Sequence, residues 1–263
     1  LSLHDALPIL KILETPYVEE DYAMCFKKGN TELEDKFNAA IKELKEDGTF
    51  DKIIGYYIDG TEDKGYESPA DVDHSNGKLV MATNAAFEPF EYTKGEDYYG
   101  IDMEIASLLA EKLGKELVIE NMDFDAVCLS VSQQKCDIAM AGLTINEERE
   151  KYVTFTDSYY SASQRLIVPS NVTTFDDCKT ADDVAAKLAE TKSSDQIGVQ
   201  QGTTGQYYVE GSEDWDFPGL PAKCVTYKSG SLAVQDMLNG NIQYVIIDAA
   251  PAAAITDAIN AVQ

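Results

Sequence analysis

Positive charge is scarce in this sequence: 21 Lys and Arg stand against 47 Asp and Glu, a formal net charge of −26 at pH 7 and an isoelectric point near 4.2. A field of that sign repels phosphate backbones and anionic headgroups, which argues against nucleic-acid binding and polybasic docking on membranes. Long apolar runs are missing as well. A membrane-spanning helix needs about 20 consecutive apolar residues, and the longest candidate, Tyr244 to Ile255, is interrupted by Asp248. Histidine occurs only twice, and the five cysteines (Cys25, Cys128, Cys136, Cys178, Cys224) form no C-x-x-C. A structural zinc site needs closely spaced Cys and His ligands, so none is expected. The scattered, odd-numbered thiols read as mostly free and buried, with a Cys178–Cys224 disulfide left open. The chain opens on Leu1 rather than Met, and Leu1–Ile9 is too short and too polar for a signal peptide. It reads as a foreign leader or scar outside the fold, and the chain as a fragment.

Apolar material is plentiful. Hydrophobic residues make up 44% of the 263, aromatics 10% and charged residues 26%, enough for a buried core and too much for intrinsic disorder. The length suits one large or two modest domains. Thr31 to Asp47 reads as an amphipathic helix, with Leu33, Phe37, Ile41 and Leu44 on one face, a Thr31/Glu34 capping box and Gly48 as its stop. A short second helix carries Phe50, Ile53, Ile54 and Tyr57, and the polar stretch Asp59 to Asn76 has no periodicity and reads as a linker. Strands and helices then alternate. Strands are expected over 78–83, 116–120, 137–141, 165–169, 197–200, 223–227 and 243–247. Helices are expected over 102–113, 126–134, 146–151, 181–190, from 203, 231–238 and 250–261. Repeated βα units of this kind imply an α/β protein of two lobes on mainly parallel sheets, and such sheets bind ligands at the carboxyl ends of their strands.

The chemistry-bearing residues cluster at those ends. Ala141-Gly142-Leu143-Thr144 closes a buried strand, Asn146 can cap the next helix, and Arg149 falls in its first turn. A cation there is disfavoured by the helix dipole unless it holds an anion, and the guanidinium fork matches a carboxylate. Pairing with Glu147, Glu148 or Glu150 is the plainer alternative. Gln201-Gly202-Thr203-Thr204 joins a strand to a helix; its amides can receive an anion, or Thr can simply cap. Asp248 follows a buried strand, where a carboxylate calls for a cationic partner, either a ligand or an internal Lys or Arg. Phe87 and Phe124 sit between strands and helices, where an aromatic can wall a pocket or be ordinary core. Together these are complementary parts for an α-amino acid.

In this order the motifs resemble the extracellular solute-binding proteins of polar amino-acid ABC transporters, family 3, with the type II periplasmic-binding-protein fold. The resemblance runs from Lys78 almost to Gln263. It rests on Lys78-Leu79-Val80-Met81-Ala82-Thr83, Phe87-Glu88-Pro89-Phe90-Glu91, Gly100-Ile101-Asp102-Met103-Glu104, Met122-Asp123-Phe124-Asp125, Asp137 to Thr144 with Arg149, Phe155-Thr156-Asp157-Ser158-Tyr159-Tyr160, Gln201-Gly202-Thr203-Thr204 and Asp248. It implies a ligand cleft between two lobes that close on an amino acid. Arg149 would clamp the carboxylate with the Thr144 and Thr204 amides, and Asp248, the Gly142 carbonyl and the Thr144 hydroxyl would hold the ammonium. Phe87 and Phe124 would flank the side chain, with Asn84 and Ala141 tuning its identity; neutral Asn84 argues against strong selection of cationic side chains. The resemblance further implies a monomeric, non-catalytic, extracytoplasmic protein, periplasmic or a surface lipoprotein, that needs no cofactor and delivers its ligand to a membrane permease. A cyclohexadienyl or arogenate dehydratase and the sensing domain of a receptor are the alternatives on this scaffold.

The chain order departs from the family. Glu14–Ile58, with Tyr22-Ala23-Met24-Cys25-Phe26-Lys27-Lys28-Gly29-Asn30, looks like the family's closing segment placed ahead of its opening one. The expected division is therefore a leader (1–9), a module tail (10–58) docking on lobe 1, a linker (59–77), lobe 1 (78–169) and a truncated lobe 2 (170–263), in a permuted-looking order.

Overall fold

The computed structural model describes residues 8–13, 18–61, 64 and 75–262. Residues 1–7 of the expected leader and most of the expected linker lie outside the described residues. The strands are β1 (Leu10–Ile12), β2 (Val18–Tyr22), β3 (Cys25–Lys27), β4 (Lys78–Thr83), β5 (Ala86–Phe87), β6 (Glu91–Lys94), β7 (Asp97–Tyr99), β8 (Glu116–Asn121), β9 (Ile138–Ala139), β10 (Val153–Phe155), β11 (Tyr160–Pro169), β12 (Gln196–Gln200), β13 (Lys223–Tyr227) and β14 (Tyr244–Asp248). The helices are α1 (Thr31–Glu46), α2 (Thr49–Tyr57), α3 (Ile101–Lys112), α4 (Phe124–Ser132), α5 (Glu147–Glu150), α6 (Ala181–Ala189), α7 (Thr204–Glu210), α8 (Gly230–Leu238) and α9 (Ala249–Asn260). Among the described residues, no helix is long and apolar enough to cross a membrane.

The chain divides into a central unit, Asp21–Ser161, and a terminal unit, Leu1–Glu20 with Ala162–Gln263. The passage falls at 161/162, where the sequence suggested 169/170, because β11 continues back to Tyr160 as one strand. Residues 10–20 go with the terminal unit, and only the part from Asp21 onward joins the residues after 75.

In the central unit a five-stranded sheet runs β10-β3-β9-β4-β8. β4 pairs in parallel with β8 along its whole length and with β9 at Met81 and Ala82. β3 lies antiparallel to both β9 and β10, with Cys25 opposite Ala139 on one side and Phe155 on the other. A strand inside a sheet has both rows of backbone polar groups paired, so Tyr22–Phe26 can be wholly buried. Ala23 and Cys25 share one hydrophobic cluster with Ala82, Val127, Val131, Ala139, Ala141, Leu143 and Phe155. α1 buries Phe37, Ile41 and Leu44, and Phe37 meets Phe26 at 5.2 Å between ring centroids. Lys45 donates to the Ser158 carbonyl at 2.6 Å, and the Asp157 amide donates to Asn38 Oδ1 at 2.9 Å. The α1 cap is Asn30, whose side chain accepts from the Leu33 amide, so the expected Thr31/Glu34 box does not form; Gly48, in the left-handed region directly after the α1 C-cap Asp47, ends α1 as expected and is also the N-cap of α2. β5, β6 and β7 form a separate antiparallel meander.

In the terminal unit the sheet runs β1-β11-β14-β12-β13, with β2 also on β11. β12 is parallel to β13 and β14, whereas β11 is antiparallel to β14 and β1. Asn260, at the end of α9, accepts from the Ile9 and Leu10 amides and donates to the Leu10 carbonyl. The core comprises Leu166, Val168, Val184, Leu188, Ile197, Val199, Val209 and Ile246. Cys178 and Cys224 pack against this core as free, partly buried thiols, and the other three cysteines are free and buried.

Candidate functional site

In the central unit the end of β9 runs directly into the Gly142–Thr144 segment. Gly142 has φ +53°, a conformation that L side chains rarely adopt, and a Cβ there would lie 2.9 Å from Phe87 Cε1. Glycine therefore lets the Phe87 ring rest on the backbone. The Gly142 amide donates to Asp102 Oδ2 at 3.0 Å, and the Tyr159 hydroxyl donates to Asp102 Oδ1 at 2.8 Å. Burial pushes the Asp102 carboxyl up to about 6, against the Gly142 amide, the Tyr159 hydroxyl and the Glu91 side chain, which favour its charged form. Burial likewise raises Tyr159, followed by the charges of Asp102 and Glu91.

Two residues on, Thr144 is buried and forms an isolated antiparallel bridge with Tyr22. Asn146 caps α5 by accepting from the Arg149 amide at 2.7 Å. Arg149 is only 7% exposed; its Nη1 donates to the Thr144 carbonyl at 2.8 Å, and its guanidinium carbon lies 5.5 Å from the Phe124 ring centroid. A carbonyl on one edge and an aromatic face below hold the guanidinium plane in one orientation. Phe124 is the first residue of α4 and half-buried. Asn84, just past β4, donates to the Met122 carbonyl at 2.7 Å. Ala141 lies inside the core cluster at 1% exposure. Thus Thr144, Arg149 and Phe124 come together, as do Phe87 and Gly142, while Asn84 braces β4 against the chain leaving β8.

In the terminal unit Gly202, Thr203 and Thr204 join β12 to α7. The Gly202 amide donates to Gln206 Oε1 at 2.7 Å, and the Thr203 hydroxyl donates to the Gln200 carbonyl at 2.8 Å, so Thr203 turns the chain without capping α7 by its side chain. Thr204 is buried, and its hydroxyl donates to Glu20 Oε2 at 2.6 Å. Glu20 Oε1 accepts from Gln164 Nε2 at 2.5 Å, and Gln164 stands opposite Asp248 in the β11–β14 pair. A Cβ on Gly205 would lie 3.0 Å from Ile246 Cγ2 and 3.4 Å from Gln164 Oε1, so the start of α7 sits tightly on β14 and β11. Asp248 ends β14 and is the N-cap of α9, buried at 6% exposure. Two buried acids, Glu20 and Asp248, thus flank Gln164 at one end of this sheet.

Glu20 and Gln164 escaped the sequence reading, while Asp102 and Tyr159 stood in its motifs without a role. Glu20 stands in the acidic run Glu19-Glu20-Asp21, where composition does not single it out; the signal was the alternation in Val18–Tyr22, which puts Glu20 and Tyr22 on the inward face. Among the described residues no group of three or more Cys, His, Asp or Glu side chains is arranged to hold a metal ion.

A family profile described as bacterial extracellular solute-binding proteins, family 3, matches residues 79–248. The arginine-binding extracellular protein ArtP of Bacillus subtilis (strain 168) is 38% identical over 90 residues, which is 34% of this chain and 35% of that protein. The histidine-binding periplasmic protein of Salmonella typhimurium is 27% identical over 172 residues, 65% of this chain and 60% of that protein. The chain thus spans between about a third and 60% of the length of these two relatives. Among solved structures, the ancestral amino acid-binding protein AncCDT-1, a precursor of cyclohexadienyl dehydratase, superposes with a TM-score of 0.59 at 28% identity, covering 70% of this chain and 75% of that one. The matched span carries Phe87, Phe124, Thr144, Arg149, Thr204 and Asp248, and by it the chain belongs to the bacterial extracellular solute-binding proteins, family 3.

Proposed function

We propose that this protein captures an α-amino acid outside the cytoplasm, as a monomer, and presents it unchanged to the membrane permease of an ABC transporter. The observation that carries the reading is Arg149: a buried cation in the first turn of α5, oriented by the Thr144 carbonyl and lying over Phe124. Arg149, with the Thr144 and Thr204 amides, takes the carboxylate. Asp248, the Gly142 carbonyl and the Thr144 hydroxyl take the ammonium. Phe87 and Phe124 flank the side chain, Asn84 and Ala141 limit its shape, and Gly202 and Thr203 shape the approach to Thr204. Closure of the two lobes is driven by contacts the ligand makes better in the closed form.

The named relatives bind arginine and histidine. The structural likeness to a dehydratase precursor favours one second reading, an enzyme acting on a cyclohexadienyl substrate. A thermal-shift panel of the twenty amino acids tests the proposal, since a ligand at 100 times its Kd adds about 2.7 kcal/mol of stability. At least one amino acid should raise the melting temperature by several degrees. A flat panel together with product formation from arogenate would replace capture with catalysis.

A further inference from the structure

Cys25, in β3, and Cys128, in α4, are 103 residues apart in sequence, yet their sulfur atoms lie 3.8 Å apart in the core of the central unit. Cys25 is fully buried and Cys128 is 6% exposed, and both belong to the cluster formed by Ala23, Val127, Ala139 and Leu143. Both are free thiols. We propose that Cys25 and Cys128 are a modification site, a dithiol that oxidises to a disulfide and ties the strand supplied from before residue 61 to the helix supplied from after residue 75.

A disulfide needs its sulfurs about 2.05 Å apart, and the 3.8 Å between these two, on a strand and a helix that pack together, leaves less than 2 Å to close. Either thiolate can open the exchange, and the sequence is written here with Cys128 first. The oxidant is a low-molecular-weight disulfide, RSSR. The Cys128 thiolate attacks one sulfur, forming Cys128–S–SR and expelling RS⁻. Cys25 then loses its proton and attacks the Cys128 sulfur, expelling the second RS⁻. Two protein thiols are oxidised and one RSSR is reduced to two thiols. Because both cysteines are buried in the folded unit, the exchange takes place while β3 and α4 are apart, during folding or local opening.

The site does not depend on which ligand the protein takes. The test is oxidative refolding: reduced, denatured protein is diluted into a buffer of reduced and oxidised glutathione, free thiols are alkylated, and the peptides are mapped by mass spectrometry. The Cys25 and Cys128 peptides should be joined, with the intact mass lower by about 2 Da. The melting temperature should rise by roughly 10 °C over the reduced protein, as expected for closing a loop of about 100 residues. Cys128→Ala should show neither the link nor the rise. The proposal is overturned if both cysteines are alkylated, if either carries glutathione alone, or if either is joined to Cys136, Cys178 or Cys224. Should refolding fail, native protein held for days in oxidised glutathione is mapped in the same way, with the same outcomes deciding.

Discussion

Asp102 is a carboxyl group set where its charge is costly. It is wholly buried, its oxygens receive the Gly142 amide and the Tyr159 hydroxyl, and it sits at about 6 rather than in the usual carboxylate range. Its value in the unfolded chain is about 3.9. The folded state therefore holds the proton more tightly. Asp102's contribution to stability is present in full below about pH 4 and is lost as the pH rises through about 6, a swing on the order of 3 kcal/mol. Urea unfolding from pH 4 to 7 should show this as a slope that Asp102→Asn flattens. Equal slopes in the two proteins would show that other acids of this highly acidic chain dominate. The residue was visible in the sequence as part of Gly100-Ile101-Asp102, but its proton was not. Its position follows from burial and from two donors on Gly142 and Tyr159, which no local pattern brings together. The same holds for Glu20, whose bonds to Gln164 and Thr204 join residues more than 140 positions apart.

At the scale of elements, legibility followed length and periodicity. α1 could be read from its Phe37–Ile41–Leu44 stripe, and β4 from a continuous apolar run bounded by turns; both stand where the sequence puts them to within a residue. β3 could not be read, because Cys25–Lys27 is too short to show alternation and takes its burial from β9 and β10 on either side. The β5–β7 meander was missed for the same reason, with strands of two to four residues. Of the site, the β9-to-α5 segment was legible because one short stretch carries a strand end, a cap and an arginine. Ala141, expected to tune the identity of the ligand, follows β9 at 1% exposure in the cluster that Val127 of α4 and Cys25 of β3 share. The α1 stripe yields a quantitative expectation. Phe37 is 1% exposed and packs at a tilt against Phe26, so Phe37→Ala should cost about 3–5 kcal/mol in denaturant unfolding. A loss below about 1 kcal/mol would mean that α1 does not pack on β3 in solution.

For the whole molecule, we propose a binding module whose closing segment precedes its opening one. Residues 21–61 and 75–161 share one sheet and one cluster, so neither part has a complete core alone. Deleting residues 1–77 removes β3 from between β9 and β10 and uncovers Ala139, Leu143 and Phe155. The shortened chain should aggregate, or unfold without cooperativity in a calorimeter. A soluble, cooperative product would show that residues 78–263 form a core of their own. The central claim, that this scaffold holds an amino acid by its carboxylate through Arg149, is tested most directly by calorimetric titration. The measurement compares the wild-type chain with Arg149→Ala, using the amino acid that gives the largest thermal shift. The account predicts saturable one-to-one binding by the wild type and a loss of at least 100-fold in the variant, about 2.7 kcal/mol or more, with the variant still folded. Retained wild-type affinity in Arg149→Ala would contradict it.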